Sequence, residues 1–250
     1  MFICLGTRTA LPDAQWRSVL PERGRWRIRA RVRITGGVLG GRVLRVPRGD
    51  VRPTQDRVRL ALFSMLANRV GGSRFLDLFA GSGAVGLEAW SRGADAVCWV
   101  ESDSRVLSVL RANVAALCDG RADVIAVDAR RFLERGPAAE PFDLIFADPP
   151  YLATPERGHR EHAPARGAER TMDLDWLPVI LEGVTRRGLL RADGFIVYEY
   201  RTGTRAEPGP GWRKVDERQY GETGLSLFIQ TSFLQKSGED PRNTREDAKS

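Results

Sequence analysis

The sequence predicts an α/β fold of the Rossmann-like kind, an open and mostly parallel sheet covered by helices. Three observations carry that expectation. From Arg74 onward, short apolar runs of strand length alternate with helical stretches. One run, residues 75–80, leads straight into Gly81-Ser82-Gly83-Ala84-Val85-Gly86 and then a helical pattern. Near the end, residues 212–218 and 225–230 flank Gly221-Glu222-Thr223-Gly224 and read as an antiparallel pair.

Residues 1–31 differ from the rest. Arg23, Arg25, Arg27, Arg29 and Arg31 alternate with mixed residues, and little before them suggests a core. We read this segment as lying upstream of a true start at Val32, since a GTG codon can initiate translation in bacteria. A basic nucleic-acid-binding arm and a transit peptide are the alternatives, the latter weakened by Asp13 and Glu22.

Residues 32–70 are expected to form a glycine-rich hairpin from Ile34-Thr35-Gly36-Gly37 and Arg42-Val43-Leu44-Arg45-Val46, followed by a helix. Thr54 is the expected N-cap, with Val58, Leu62, Met65 and Leu66 facing the sheet and Arg57 and Arg59 elsewhere. Residues 1–70 hold fifteen arginines and four carboxylates, a net +11, which leaves −4 for the remainder of a chain of net charge +7. Positive charge on one segment beside a nucleotide pocket predicts phosphate contacts, with Arg33, Arg42, Arg45, Arg52 and Arg57 as candidates. Arginine outnumbers lysine 36 to 3, as a GC-rich genome alone would produce, so the asymmetry argues more than any one residue.

Residues 71–230 carry the chemistry. Glycines let the backbone approach a ligand, and a helix N-terminus offers unpaired N–H groups. The next strand, residues 96–100, ends in Glu101, placed to hold a ribose diol, and residues 124–127 end in Asp128, placed to take adenine N–H bonds. Asp77, Phe79, Ala80, Gly81, Ser82, Gly83, Glu101, Ser102, Asp128 and Ala129 are therefore the candidate cofactor contacts. The pattern also matches a dinucleotide fingerprint, so a nicotinamide or flavin enzyme competes. An adenosyl ligand without a pyrophosphate, such as S-adenosylmethionine, uses these residues together. Helix capping or a solvated turn is the structural alternative for Glu101 and Asp128.

Residues 142–147 run as an apolar strand into Asp148-Pro149-Pro150-Tyr151. An amine conjugated to a base ring is a weak nucleophile, because its lone pair is delocalised. Asp148 offers a charged acceptor for its N–H bonds and the Pro149 carbonyl a second, while Pro149 and Pro150 stiffen the turn. Tyr151 adds an aromatic face for an unstacked base. Alone, the prolines could merely stop a strand.

Residues 153–171 read as a loop insertion, 174–184 as a helix, 194–199 as a strand, and 231–250 as a disordered tail. Cys4, Cys98 and Cys118 lack metal-ligand spacing, and His159 and His162 read as loop residues, so no metal is expected. The odd cysteine count suits a reducing cytoplasm, and no run approaches membrane-spanning length.

Together, Arg33-Ile34-Thr35-Gly36-Gly37, Arg52-Pro53-Thr54 with Asp56-Arg57-Val58-Arg59, Asp77-Leu78-Phe79-Ala80-Gly81-Ser82-Gly83-Ala84 with Gly86-Leu87-Glu88-Ala89, Asp148-Pro149-Pro150-Tyr151 and Tyr220-Gly221 resemble the RsmD-type 16S ribosomal RNA guanine-N2 methyltransferases. The resemblance covers roughly residues 32–230. It implies a class I S-adenosylmethionine-dependent methyltransferase fold, with a seven-stranded sheet whose last strand is antiparallel. It also implies action on small-subunit rRNA or an assembling 30S particle, and a cytoplasmic monomer is expected. In that family's terms Asp148 and Pro149 hold the guanine amine, Tyr151 stacks on the base, and the basic hairpin grips RNA. Relatives of the fold that methylate adenine or cytosine amines share the tetrapeptide and are the neighbouring alternative. A non-catalytic RNA-binding module is a third.

Overall fold

A computed structural model of the chain describes residues 32–47, 56–136, 140–150, 175–204 and 206–232. It opens with a short hairpin, β1 (Val32–Arg33) and β2 (Val43–Leu44), with Val32 opposite Leu44. Helix α1 (Asp56–Leu66) follows. Then come β3 (Arg74–Asp77), α2 (Ala84–Ser91), β4 (Ala96–Glu101), α3 (Ser104–Leu117), β5 (Arg121–Ala126), α4 (Ala129–Arg135) and β6 (Phe142–Ala147). Helix α5 (Trp176–Arg187) and strands β7 (Leu190–Arg201), β8 (Trp212–Tyr220) and β9 (Thr223–Gln230) complete the described chain.

Strands β3 to β9 form one seven-stranded sheet in the order β5-β4-β3-β6-β7-β9-β8, separate from the β1-β2 hairpin. The first five are parallel, and β9 lies between β7 and β8, antiparallel to both. This is the expected sheet, with its last strand antiparallel. The order reverses at β3, whose neighbours β4 and β6 diverge, so a crevice opens at the carboxyl ends of these strands.

Successive strand residues alternate between two cores, as the pleat requires. Phe75, Val97, Trp99, Phe146 and Val197 face one, together with α1 and α2. Leu76, Cys98, Val100, Ile145 and Ile196 face the other, with α4 and α5. Burial on both sides explains why the central strands read as unbroken apolar runs. Helices α3 and α5 are started by Asp103 and Asp175, whose carboxylates accept the Arg105 and Leu177 amides. Gly188, at φ +59°, ends α5.

The hairpin's Val32, Ile34, Leu39 and Leu44 belong to the α1 and α2 core, so the basic segment is rooted in the domain. Its ladder is shorter than expected. Ile34 still pairs with the opposite arm, its amide donating to the Arg42 carbonyl (2.9 Å) and its carbonyl accepting the Gly41 amide (2.8 Å), but the segment then bends at Gly36-Gly37, where the Thr35 amide and the Gly36 carbonyl go to Glu88 and Ser91 of α2. Arg59 corrects a second expectation. Its side chain is fully buried, with Nη2 donating to the Arg33 carbonyl (2.6 Å) and the Asp56 carboxylate (2.7 Å). Strands β7 and β8 extend beyond their expected limits, and Thr231 and Ser232 are helical where a disordered tail was expected. Residues 1–31, Arg52, Thr54, Tyr151, the insertion 153–171 with His159 and His162, and residues 233–250 lie outside the described residues.

Candidate active site

The glycine turn bridges β3 and α2. Gly81 and Gly83 hold positive φ, +54° and +83°, which a Cβ would strain. Gly86 is required for space: a Cβ there would run into the Trp99 indole, itself fully buried beneath the turn. At the end of β3, Asp77 is only 1% exposed, and its Oδ2 accepts the Gly86 amide at 3.0 Å.

Burial pushes the Asp77 carboxyl up to about 7. The Gly86 hydrogen bond opposes that shift, while the charges of Asp148 and Glu101 add to it. Both carboxylates therefore stand close enough to Asp77 for their fields to be felt. The sheet explains this. Asp77 lies in register with Phe146, and the Leu78 amide donates to the Phe146 carbonyl at 2.9 Å. Asp148 follows two residues later.

Glu101 ends β4. Its Oε2 accepts the Gly81 amide (2.9 Å), and its Oε1 accepts the Ser102 and Asp103 amides (2.8 Å each). One carboxylate thus ties the glycine turn to the start of α3. Asp128 caps α4 through Oδ1, taking the Arg130 (2.9 Å) and Arg131 (3.3 Å) amides, the structural role weighed for it from sequence. Phe79 meets the Trp176 ring edge-on, centroids 4.9 Å apart. The Ala80 amide donates to the Val100 carbonyl (3.0 Å), and the buried Ser82 gives its carbonyl to Asn113. Ser102 is exposed and Ala129 buried.

Asp148 is half-buried, Pro149 buried and Pro150 exposed. Beside them, Tyr198 of β7 pairs with Ala147 and stacks on Tyr200, 6.2 Å between centroids. Burial raises its phenol, and the charges of Asp175 and Asp148 raise it further. Tyr198 thus belongs beside Asp148, and sequence reasoning missed it. The available signal was a tyrosine closing the apolar run Phe195-Ile196-Val197.

Arg33, Arg42 and Arg45 share the hairpin, while Arg57 is exposed on α1 with its guanidinium 5.8 Å from the Tyr220 ring centroid. Burial pushes the Cys98 thiol up to about 12, which removes it as a nucleophile. Among the described residues no cluster of three His, Cys, Asp or Glu could hold a metal ion, and no helix is long and apolar enough to cross a membrane.

The donor set discriminates between ligands. Four strands present Asp77, Glu101, Asp128 and Asp148 at one sheet edge, and the Gly81 amide already serves Glu101. A pyrophosphate would meet carboxylates there, and a dinucleotide fits poorly. A cationic nucleoside with hydroxyl and amino groups suits these acceptors, so the residues fit S-adenosylmethionine.

Comparison with known proteins agrees. The family described as conserved hypothetical protein 95 matches residues 32–157. "Ribosomal RNA small subunit methyltransferase D" of Escherichia coli is 44% identical over 121 residues, 48% of this chain and 60% of that protein. The chain thus spans about three fifths of that relative's length. "Putative rRNA methyltransferase YlbH" of Bacillus subtilis is 31% identical over 201 residues, covering 79% of this chain and 98% of that one. The solved structure of "Putative methyltransferase yhhF" from Escherichia coli superimposes with a TM-score of 0.63 at 32% identity, over 80% of this chain and 98% of that one.

Proposed function

The chain belongs to the family described as conserved hypothetical protein 95, and on that premise we propose that it methylates the exocyclic N2 amine of a guanine in small-subunit ribosomal RNA, with S-adenosylmethionine as donor. The observation that carries this reading is the nearness of Asp148 to Asp77. It sets an amine acceptor beside a glycine turn with an acidic floor. The names of the relatives support the RNA class, and the class I methyltransferase sheet supports the donor.

When bound, the donor would supply a methyl carbon on a sulfonium whose leaving group is a neutral thioether. The protein then has to orient and desolvate. Glu101 presents its carboxylate toward ribose hydroxyls while bracing Gly81. Asp77 fixes the turn through Gly86 and puts negative charge beneath a cation. Asp148 and the Pro149 carbonyl accept hydrogen bonds from the two amine N–H groups, which turns the nitrogen lone pair toward the methyl group and stabilises the positive charge that develops on nitrogen, and the Asp148 carboxylate is the acceptor beside it for the proton that the methylated nitrogen sheds. Pro149 and Pro150 limit the motion of those acceptors. Tyr151, and Arg33, Arg42, Arg45, Arg52 and Arg57, serve as base platform and phosphate contacts.

Nucleoside analysis of small-subunit rRNA from a gene-deletion strain tests the reading. Loss of N2-methylguanosine at one position is expected. Unchanged N2-methylguanosine with a missing N6-methyladenosine or N4-methylcytosine would move the chemistry to another amine. Thermal stabilisation by NADH with none by S-adenosylhomocysteine would reject the donor.

A further inference from the structure

Asn113 lies buried in α3 between two parts of the chain that the proposed function uses separately. Its Oδ1 accepts the Arg45 amide (3.0 Å), and its Nδ2 donates to the Arg45 carbonyl (3.0 Å) and the Ser82 carbonyl (2.9 Å). The side chain pairs with the Arg45 backbone as a neighbouring strand would, and its other N–H holds the glycine turn. Both amide hydrogens are thereby used. Other bonds root the hairpin on α2 instead: Glu88 accepts the Thr35 amide and hydroxyl (2.6 Å each), Ser91 Oγ donates to the Gly36 carbonyl (2.6 Å), and the Leu39 amide donates to Ser91 Oγ (2.9 Å). Asn113 grips both the turn and the hairpin.

We infer that Asn113 is a positioning residue that couples the two: a nucleoside seated on the glycine turn tightens the hairpin, and RNA held by the hairpin tightens the nucleoside. The inference rests on reading the turn as the S-adenosylmethionine site. A ligand that fixes the Ser82 peptide fixes the acceptor of one Asn113 N–H. If Ser82 moved away, that N–H would be left buried without an acceptor, so the amide follows the turn and carries the Arg45 backbone with it. Linkage makes the effect reciprocal.

Amide hydrogen exchange on the full chain, with and without S-adenosylhomocysteine, tests it without RNA. The Arg45 amide should exchange about fivefold more slowly, or slower still, when the ligand is bound. Unchanged exchange in a protein that does bind the ligand overturns the coupling. Asn113→Ala should retain ligand binding and lose the slowing, and persistence of the slowing would remove Asn113 from the role. Arg45→Ala should keep it, because Asn113 holds the Arg45 backbone; loss there would point to a general loosening and overturn the inference. The wild-type measurement decides the coupling even where Asn113→Ala fails to fold. Absence of S-adenosylhomocysteine binding altogether is a different result, and it removes the cofactor reading itself.

Discussion

The Asp77 carboxylate accepts the Gly86 amide at 3.0 Å, so the last residue of β3 and the third residue of α2 are held across the glycine turn by one hydrogen bond. That bond does not fully offset the burial of the charge, and the carboxyl titrates near 7 instead of 3.8. Between those values the folded protein keeps a proton that the unfolded chain has released. The contribution of Asp77 to stability is therefore full below about pH 4 and is lost as pH rises through about 7, worth roughly 4 kcal/mol in the ligand-free protein. Asp77→Asn should be more stable than wild type at about pH 8.5, and the two should converge near pH 4. Urea denaturation at both pH values, paired with S-adenosylhomocysteine titration, checks this; the variant should bind the ligand more weakly.

Asp148→Asn should lower methyl transfer about a hundredfold or more, since the missing charge-assisted contact is one made to the reacting amine. Affinity for S-adenosylhomocysteine should stay within about threefold. The same substitution should bring the Asp77 carboxyl down, because the Asp148 charge helps to raise it. Single-turnover kinetics read the first effect, and carboxyl titration by NMR reads the last.

Gly86→Ala should destabilise the protein by about 1–3 kcal/mol, because the added methyl group enters the space of an immobile indole. Calorimetry measures the loss, and a shift in Trp99 fluorescence would locate it.

Glu88→Gln should loosen the hairpin. The carboxylate accepts the Thr35 amide and hydroxyl and pairs with Arg92 at 2.8 Å, and an amide cannot accept at both ends. A loss of about 1.5–3 kcal/mol in stability is expected, with faster proteolysis between the hairpin and α1.

Arg42→Ala and Arg45→Ala should each weaken RNA binding and reduce the magnitude of the logarithmic salt slope by about 0.7 to 0.9. Filter binding across a salt series gives the slope, and an unaltered value would place the RNA elsewhere.

What could be read from sequence was local. Glu101 closes β4, Asp128 and Asp148-Pro149-Pro150 follow their strands within a residue or two, and the glycine turn begins four residues after β3, so composition alone marks a strand end with chemistry on it. The contacts that seat the hairpin on the domain were not legible, because their partners are far apart in the chain: Thr35 and Glu88 are 53 positions apart, Arg45 and Asn113 are 68. Arg59 misled for the same reason. A cation on a surface helix normally points to solvent, and here a carbonyl 26 residues upstream captures it. Glu88 did leave a trace, as the one charge in an eight-residue helix that is otherwise apolar up to its terminal Ser91.

Strand β8 pairs by backbone ladder with β9, which slots between it and β7. During synthesis β7 must wait with one edge unpaired, and β8 has nothing to join until Thr223–Gln230 has emerged. The crevice is assembled from strands finished much earlier, so a nascent chain can shape its pocket before the sheet that supports it is closed.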